Sequence, residues 1–329
     1  QLIFESLNST GLGLDESDKI RNYVLMGMPA AKQETFYKKY WEPLERLVSH
    51  NDMKTFIRYY LSVKTRDLFK EDRLYFRFKS FRMYQVCTIE EIFEDILLFA
   101  GFYKTIRQPI NKKNSYEVVL ARINKLEIKS CTPILMELFI AHEQNQLSDT
   151  ELTDAFHTLE SYMARRIICG LGTQYYNKLF VGLGAEIEKL LEKDKAAYLD
   201  AFKSALLNKS GKSRFPNDHD FMDKFMTFEL YNAKASVRKY FLERFENFGN
   251  REMIAVEEQI SDGSLTIEHI MPQTLTEEWK VGLGEQWELI YSKYIDTIGN
   301  LTLTAYNSDY SNLSFIKKKN LPEKGFETS

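Results

Sequence analysis

Large apolar residues return at three- and four-residue intervals through most of this chain, and that period commits it to helices. Met53, Phe56, Ile57, Tyr60 and Leu61 form one such stripe. Two later stripes open on the same device. Thr88 and Glu91 stand three apart ahead of Ile92, Phe93, Ile96 and Leu97; Ser148 and Glu151 precede Leu152, Phe156, Leu159 and Met163 in the same way. Each is a capping box, in which a hydroxyl and a carboxylate serve amides that a first helical turn leaves unpaired. Thr132-Pro133 reads as an N-cap with proline at the first helical position, followed by helix from Ile134 to Ala141. Further helices are predicted over 185–207 and 220–248.

A chain of 329 residues exceeds what one hydrophobic core usually organises, so two units or more are expected. The aromatic share of 14% supplies large apolar surface for those cores. The net charge of −3 gives no global basic field to attract a polyanion. From Arg251 onward the balance is acidic, so any DNA contact must come from local patches or from a metal that offsets carboxylates. Cys87, Cys131 and Cys169 stand far apart, which argues against a disulfide framework and fits a reducing cytoplasm. No stretch approaches the roughly 20 consecutive apolar residues of a membrane span. Because the chain starts at Gln1 within what reads as a structured segment, a fragment or processed form is expected.

After about Glu257 the pattern changes. Ser261-Asp262-Gly263-Ser264 is a turn cluster, Leu265-Thr266-Ile267 reads as a short strand, and Leu301-Thr302-Leu303-Thr304 as a second. A loop is expected between them and a polar helix ending in Lys317-Lys318-Lys319 after them, a ββα layout. The polar stretch from Asn208 to Asn217 reads as a linker. Its Ser210-Gly211-Lys212-Ser213 lacks the first glycine of a phosphate-binding loop and no strand leads into it, so a surface loop is preferred.

The chemistry concentrates in Ile267-Glu268-His269-Ile270-Met271-Pro272-Gln273. An acidic residue directly before a histidine at a strand end lets neighbouring side chains do different work: one holds a divalent cation while the other takes a proton from water. Downstream lie Gly299-Asn300-Leu301-Thr302-Leu303 and Asn307-Ser308-Asp309-Tyr310-Ser311-Asn312, followed by Phe315 and Lys318. These three blocks resemble the HNH (His-Me finger) nuclease domain of GmrSD-type modification-dependent restriction enzymes. That family's pattern is Glu-His-Ile-x-Pro-Gln, then Gly-Asn-Leu-Thr-Leu, then Asn-Ser-x-x-Ser-Asn-x-x-Phe-x-x-Lys.

The resemblance implies a role for each matching residue. His269 would be the general base, which suits an imidazole that titrates near neutrality. Glu268 would ligate a hard cation, Mg²⁺ or Mn²⁺. Asn300 would brace the loop between the strands, either Asn307 or Asn312 would complete the metal site, and Lys318 would hold a phosphate or the helix end. The Lys317–Lys319 run is otherwise a solvated helix end; within the motif Lys317 becomes a DNA contact. His50, His142, His157 and His219 have no partners at ligand spacing and read as surface or packing residues.

Resemblance to the same family extends to Ile3-Phe4-Glu5-Ser6-Leu7-Asn8-Ser9-Thr10-Gly11-Leu12-Gly13-Leu14 with Asp18-Lys19-Ile20-Arg21-Asn22-Tyr23, which looks like the close of its ParB-like nucleotide-binding domain. A nucleoside triphosphate would enter only through that domain's Asp-Gly-Gln-Gln-Arg-type motif, which this chain does not contain. Between Arg73 and Arg82, the cations Arg77, Lys79 and Arg82 alternate with Tyr75, Phe76, Phe78 and Phe81. Such a segment can grip phosphates and stack on bases, or bury its rings and solvate its charges, and the second reading is preferred. Arg165-Arg166 divides likewise between DNA contact and ion pairing.

The expected fold is therefore mainly α: the end of a ParB-like domain over 1–30, a helical middle domain over 31–207, and an HNH nuclease domain of ββα-metal type with leading helices over 208–329. The expected activity is metal-dependent endonucleolytic cleavage of double-stranded DNA, restricting phage DNA that carries modified bases. No membrane partner is expected, and a homo-oligomer is compatible. The rivals are a catalytically inactive DNA-recognition or regulatory module and an HNH-like domain acting on RNA.

Overall fold

A computed structural model describes residues 15–110, 114–194, 196–250 and 254–326. The ParB-like segment from Ile3 to Leu14 lies outside the described residues, and its continuation forms the helix Glu16–Met26, N-capped by Asp15. The described chain is mainly helical with one two-stranded sheet. It divides into two compact units: one takes residues 1–124, 128–163 and 172–215, the other 125–127, 164–171 and 216–329.

In the first unit the stripe at Met53, Phe56, Ile57, Tyr60 and Leu61 is the buried face of the helix His50–Thr65. That helix packs against Leu74–Tyr84, Ile89–Arg107 and Thr132–Glu143. Aromatic rings pack closely here. Tyr60 meets Phe99 edge to face, Phe36 meets Phe93, and Phe102 stacks on Phe139. Both capping boxes form: the Thr88 hydroxyl accepts from the Glu91 amide while Glu91 accepts from the Thr88 amide, and Ser148 and Glu151 repeat the exchange.

Three helix expectations need correction. Thr132 is already inside its helix, and its hydroxyl donates to the Lys129 carbonyl rather than capping an amide. The helix expected over 185–207 is two, Tyr176–Asp194 and Tyr198–Leu207. No large apolar residue lies between Leu191 and Tyr198, so nothing anchors a continuous rod there. The helix expected over 220–248 is broken into Asp218–Phe225, a 3₁₀ turn at Leu230–Asn232, and Ala235–Glu246. The Tyr231 amide is committed to the Asp296 carbonyl instead of to a helical ladder.

The second unit contains the sheet. β1 (Thr266–His269) pairs antiparallel with β2 (Leu301–Thr304), with Glu268 opposite Thr302 and His269 opposite Leu301. The turn before β1 contains Gly263 at φ +80°, with the Asp262 carboxylate accepting from the Ser264 amide. The connection between the strands is more than a loop: it carries helices Glu277–Leu283 and Trp287–Tyr294, separated at Gly284 with φ +81°. After β2 come two short helices, Asn307–Tyr310 and Phe315–Lys319, in place of one polar helix. Among the described residues no helix is long and apolar enough to cross a membrane.

Candidate functional site

Consecutive positions of a strand face opposite ways, and that geometry splits the Glu-His pair. Glu268 turns to the helix Phe315–Lys319. Its Oε1 accepts from Lys318 Nζ at 2.6 Å, and the same ammonium donates to the carbonyls of His269 at 3.0 Å and Ile270 at 3.1 Å. Lys318 is fully buried, with 0% of its side chain exposed. A lysine has three N–H donors, and these three bonds occupy them. Lys318 therefore ties the carboxylate and the exit of β1 to the final helix, and has no donor left for a phosphate.

His269 faces the other way. Its Nε2 lies 3.4 Å from Asp296 Oδ1, and the ring meets Tyr231 edge on at 4.4 Å between centroids. Burial pushes the imidazole below the ordinary histidine range, against the pull of Asp296 and Glu268, which favour the charged form. A buried imidazole held neutral at neutral pH has the protonation state that a general base needs.

Asn300 fixes the loop that leaves β1. Its Oδ1 accepts from the Met271 amide at 2.7 Å, and its Nδ2 donates to the carbonyls of Met271 at 2.9 Å and Ile295 at 2.8 Å. The Ile270 amide adds a bond to the Asn300 carbonyl at 2.8 Å. One buried amide thus pins both ends of the connection between the strands. Beside it lies an apolar cavity of about 380 Å³ lined by Met271, Trp279, Tyr294, Ile298 and Phe315 among others.

Of the two candidate asparagines, Asn307 reaches β1: its Nδ2 donates to the Ile267 carbonyl at 3.1 Å, one residue before Glu268. Asn312 sits on the exposed turn after Ser311. A hard cation takes oxygen ligands, and Mg²⁺ keeps several waters. Lys318 occupies only one oxygen of Glu268, and the bond from Asn307 uses its nitrogen. The second carboxylate oxygen and the amide oxygen are thus donors of the right chemistry. Among the described residues no group of three His, Cys, Asp or Glu is placed to hold a metal, so such an ion would rest on few protein ligands and on water.

The basic candidates have partners of their own. Arg77, Lys79 and Arg82 belong to the first unit, on the helix Leu74–Tyr84. Arg77 pairs with Asp67 at 2.6 Å and covers the Phe69 ring, Lys79 lies over Tyr23, and Arg82 donates to the Cys87 carbonyl. The rings of Tyr75, Phe78 and Phe81 are buried, so this segment is a packed helix whose cations hold neighbouring turns. Arg165 pairs with Asp218 at 2.7 Å and lies over Phe221, and Arg166 is fully buried. Lys317 stays exposed and pairs with Glu278 at 2.8 Å.

The sequence reading missed Asp296, Tyr231 and Asn232. The first lies 27 residues from His269 and belongs to none of the three motif blocks. An aspartate just ahead of Gly299-Asn300 was the one available signal.

Residues 215–328 match the family described as GmrSD restriction endonucleases, C-terminal domain. That span covers the sheet, both short terminal helices and every residue of the site described above. The C-terminal part of the chain is therefore similar to the C-terminal domain of these restriction endonucleases. No curated protein matches the chain.

Proposed function

We propose that the second unit is an HNH-type endonuclease that hydrolyses phosphodiester bonds in double-stranded DNA, restricting foreign DNA in the cytoplasm, with base-modified phage DNA as the intended target. The observation that carries this reading is His269: a buried, neutral-biased imidazole at the end of β1, inside the span that matches the restriction-endonuclease family.

His269 takes a proton from water as that water attacks phosphorus. Asn300 sets the direction of the peptide that leaves β1, and with it the histidine's place. Glu268 and Asn307 would hold Mg²⁺ or Mn²⁺, with Asn312 as the other candidate ligand. When bound, the ion supplies positive charge to the phosphorane-like transition state and the departing oxygen. Lys318 fixes the carboxylate that would face it. Lys317 is the exposed cation nearest in sequence to the site and would contact the DNA backbone.

The test is cleavage of plasmid and phage DNA, modified and unmodified, with Mg²⁺ or Mn²⁺ and with chelator. Wild type should cut only with metal, and His269→Ala should not cut. Cleavage by His269→Ala at the wild-type rate removes the base assignment.

A second reading, a DNA-recognition or regulatory module without catalysis, draws on one specific feature: Lys318 already neutralises Glu268. Calorimetric titration with Mn²⁺ separates the two, since that module need not bind the ion. An RNA substrate in the same cleavage assay tests the remaining rival.

A further inference from the structure

We infer that Asp296 is the positioning residue for His269: its carboxylate accepts the Nε2 proton, fixes the neutral ring as the Nε2–H tautomer, and so leaves Nδ1 as the atom that receives the proton from water. This rests on the reading of His269 as the base.

The argument begins with which carboxylates serve the imidazole. Glu268 is adjacent in sequence but turns to the opposite face, committed to Lys318. Asp296 lies on the histidine's own face, with Oδ1 3.4 Å from Nε2. An imidazole nitrogen that faces a carboxylate is the protonated one, because two acceptors repel. The other nitrogen then carries the lone pair.

Asp296 is itself held from several directions. Its Oδ2 accepts from Asn232 Nδ2 at 3.0 Å, and its carbonyl accepts from the Tyr231 amide at 3.1 Å. The preceding carbonyl, of Ile295, accepts from Asn300 Nδ2. Asn232 is fixed in turn by a bond from Nδ2 to Glu229 at 3.0 Å. The Tyr231 ring closes against the imidazole, backed by Arg238, which lies 5.2 Å over that ring and donates to the Tyr231 carbonyl. The 3₁₀ turn Leu230–Asn232 thus supplies both the clamp on the carboxylate and the wall against the ring. A carboxylate gripped on its far oxygen cannot swing away, and a ring with a wall beside it cannot flip freely.

The proton count is simple. Nδ1 takes one proton from water, and the oxygen left behind forms the new bond to phosphorus. The bond to the leaving oxygen breaks with its electron pair. The imidazolium then carries a proton on each nitrogen, and Asp296, still ionised, balances its charge. A positioned general base contributes about 10²–10⁴-fold, and a partner that only orients it accounts for a part of that, ~10–100-fold.

The test uses the full chain. Asp296→Ala should lower kcat for plasmid cleavage by ~10–100-fold with KM for DNA unchanged, which a general loosening of the fold would not do. Asp296→Asn sets its amide nitrogen against that of Asn232, whereas the exchange Asn232→Asp with Asp296→Asn, made together with Glu229→Gln so that two carboxylates do not meet at positions 229 and 232, restores that hydrogen bond in the reverse sense. The exchanged protein should recover part of what Asp296→Asn loses.

The chain has five histidines, so ¹⁵N-histidine labelling, assigned with His269→Gln, reads the tautomer directly. Wild type should show Nε2–H, and Asp296→Ala a mixture. Wild-type kcat and an unchanged tautomer in Asp296→Ala, with His269→Ala inactive, would overturn the inference while sparing the base. Loss of Mn²⁺ affinity in Asp296→Ala would also overturn it, by making Asp296 a ligand. An exchanged protein no better than Asp296→Asn counts against it too. Activity in His269→Ala would instead remove the reading on which it rests.

Discussion

Replacing Lys318 with methionine should cost the second unit much of its stability. The methionine fills nearly the same volume, so the loss is electrostatic rather than a cavity. The ammonium is wholly buried, and the Glu268 side chain is 6% exposed. Removing one partner of such a pair leaves a buried charge uncompensated, which costs about 3–5 kcal/mol. The carbonyls of His269 and Ile270 lose a donor at the same time, and an unsatisfied buried acceptor adds about 1–3 kcal/mol. These losses overlap, so about 4 kcal/mol is the expected total, against domain stabilities of about 5–15 kcal/mol. Urea denaturation can report this unit alone. Trp279 and Trp287 lie in it and Trp41 in the other, so a Trp41→Phe background leaves only the relevant fluorophores. Trp279 also donates to the Leu313 carbonyl at 2.8 Å, just ahead of the helix that carries Lys318. Adding Glu268→Gln should restore part of the loss, with a coupling of about 2 kcal/mol in the double-mutant cycle. A single variant within about 1 kcal/mol of its parent, or a cycle without coupling, would refute the brace.

Asn300→Ala should lower stability by about 2–4 kcal/mol, since the amide and carbonyl of Met271 and the carbonyl of Ile295 lose their partner; a thermal melt that does not shift would dismiss the brace. Burial holds His269 below the ordinary histidine value of about 6.5, so the acid limb of cleavage should have its midpoint below that pH, and a midpoint above about 7 would contradict it. The same depression means that the unfolded chain binds this proton first. Stability from His269 is thus present above about pH 6.5 and is lost as pH falls towards the folded value. Replacing Arg77, Lys79 and Arg82 by alanine should leave the salt dependence of DNA affinity unchanged, because they hold scaffold partners; a slope reduced by about 0.9 per lost charge would show that they touch phosphates.

Features that depend on neighbours in sequence were legible. A capping box needs only residues three apart, and the boxes at Thr88 and Ser148 form as their spacing predicts. The buried stripe of His50–Thr65 follows from a 3.6-residue period alone. β2 occupies the run Leu301–Thr304 that its alternation marks. Local pattern failed where a distant partner outbid it. The turn at Leu230–Asn232 interrupts an otherwise helical stretch because the Tyr231 amide bonds to Asp296, 65 positions later. At Thr132 the competitor was itself local: the hydroxyl donates to the Lys129 carbonyl three residues back instead of capping an amide.

The same distinction explains what the motif reveals of the site. Two strands of four residues cannot hold themselves, since an isolated two-stranded hairpin is marginal at best in water. Each face of β1 must therefore be fixed from outside. On the glutamate face the fixing group is Lys318, 50 residues on and part of the motif. On the histidine face it is Asp296, held by Asn232 from 64 residues away, and no motif block contains either. Asn300 joins the two, bonding to the exit of β1 and to the carbonyl beside Asp296. Its loss should therefore disturb the histidine face through Ile295 as well as the β1 exit through Met271. An Asn300→Ala protein that keeps its ¹⁵N tautomer signature at His269 while losing stability would separate these effects and confine Asn300 to the β1 exit.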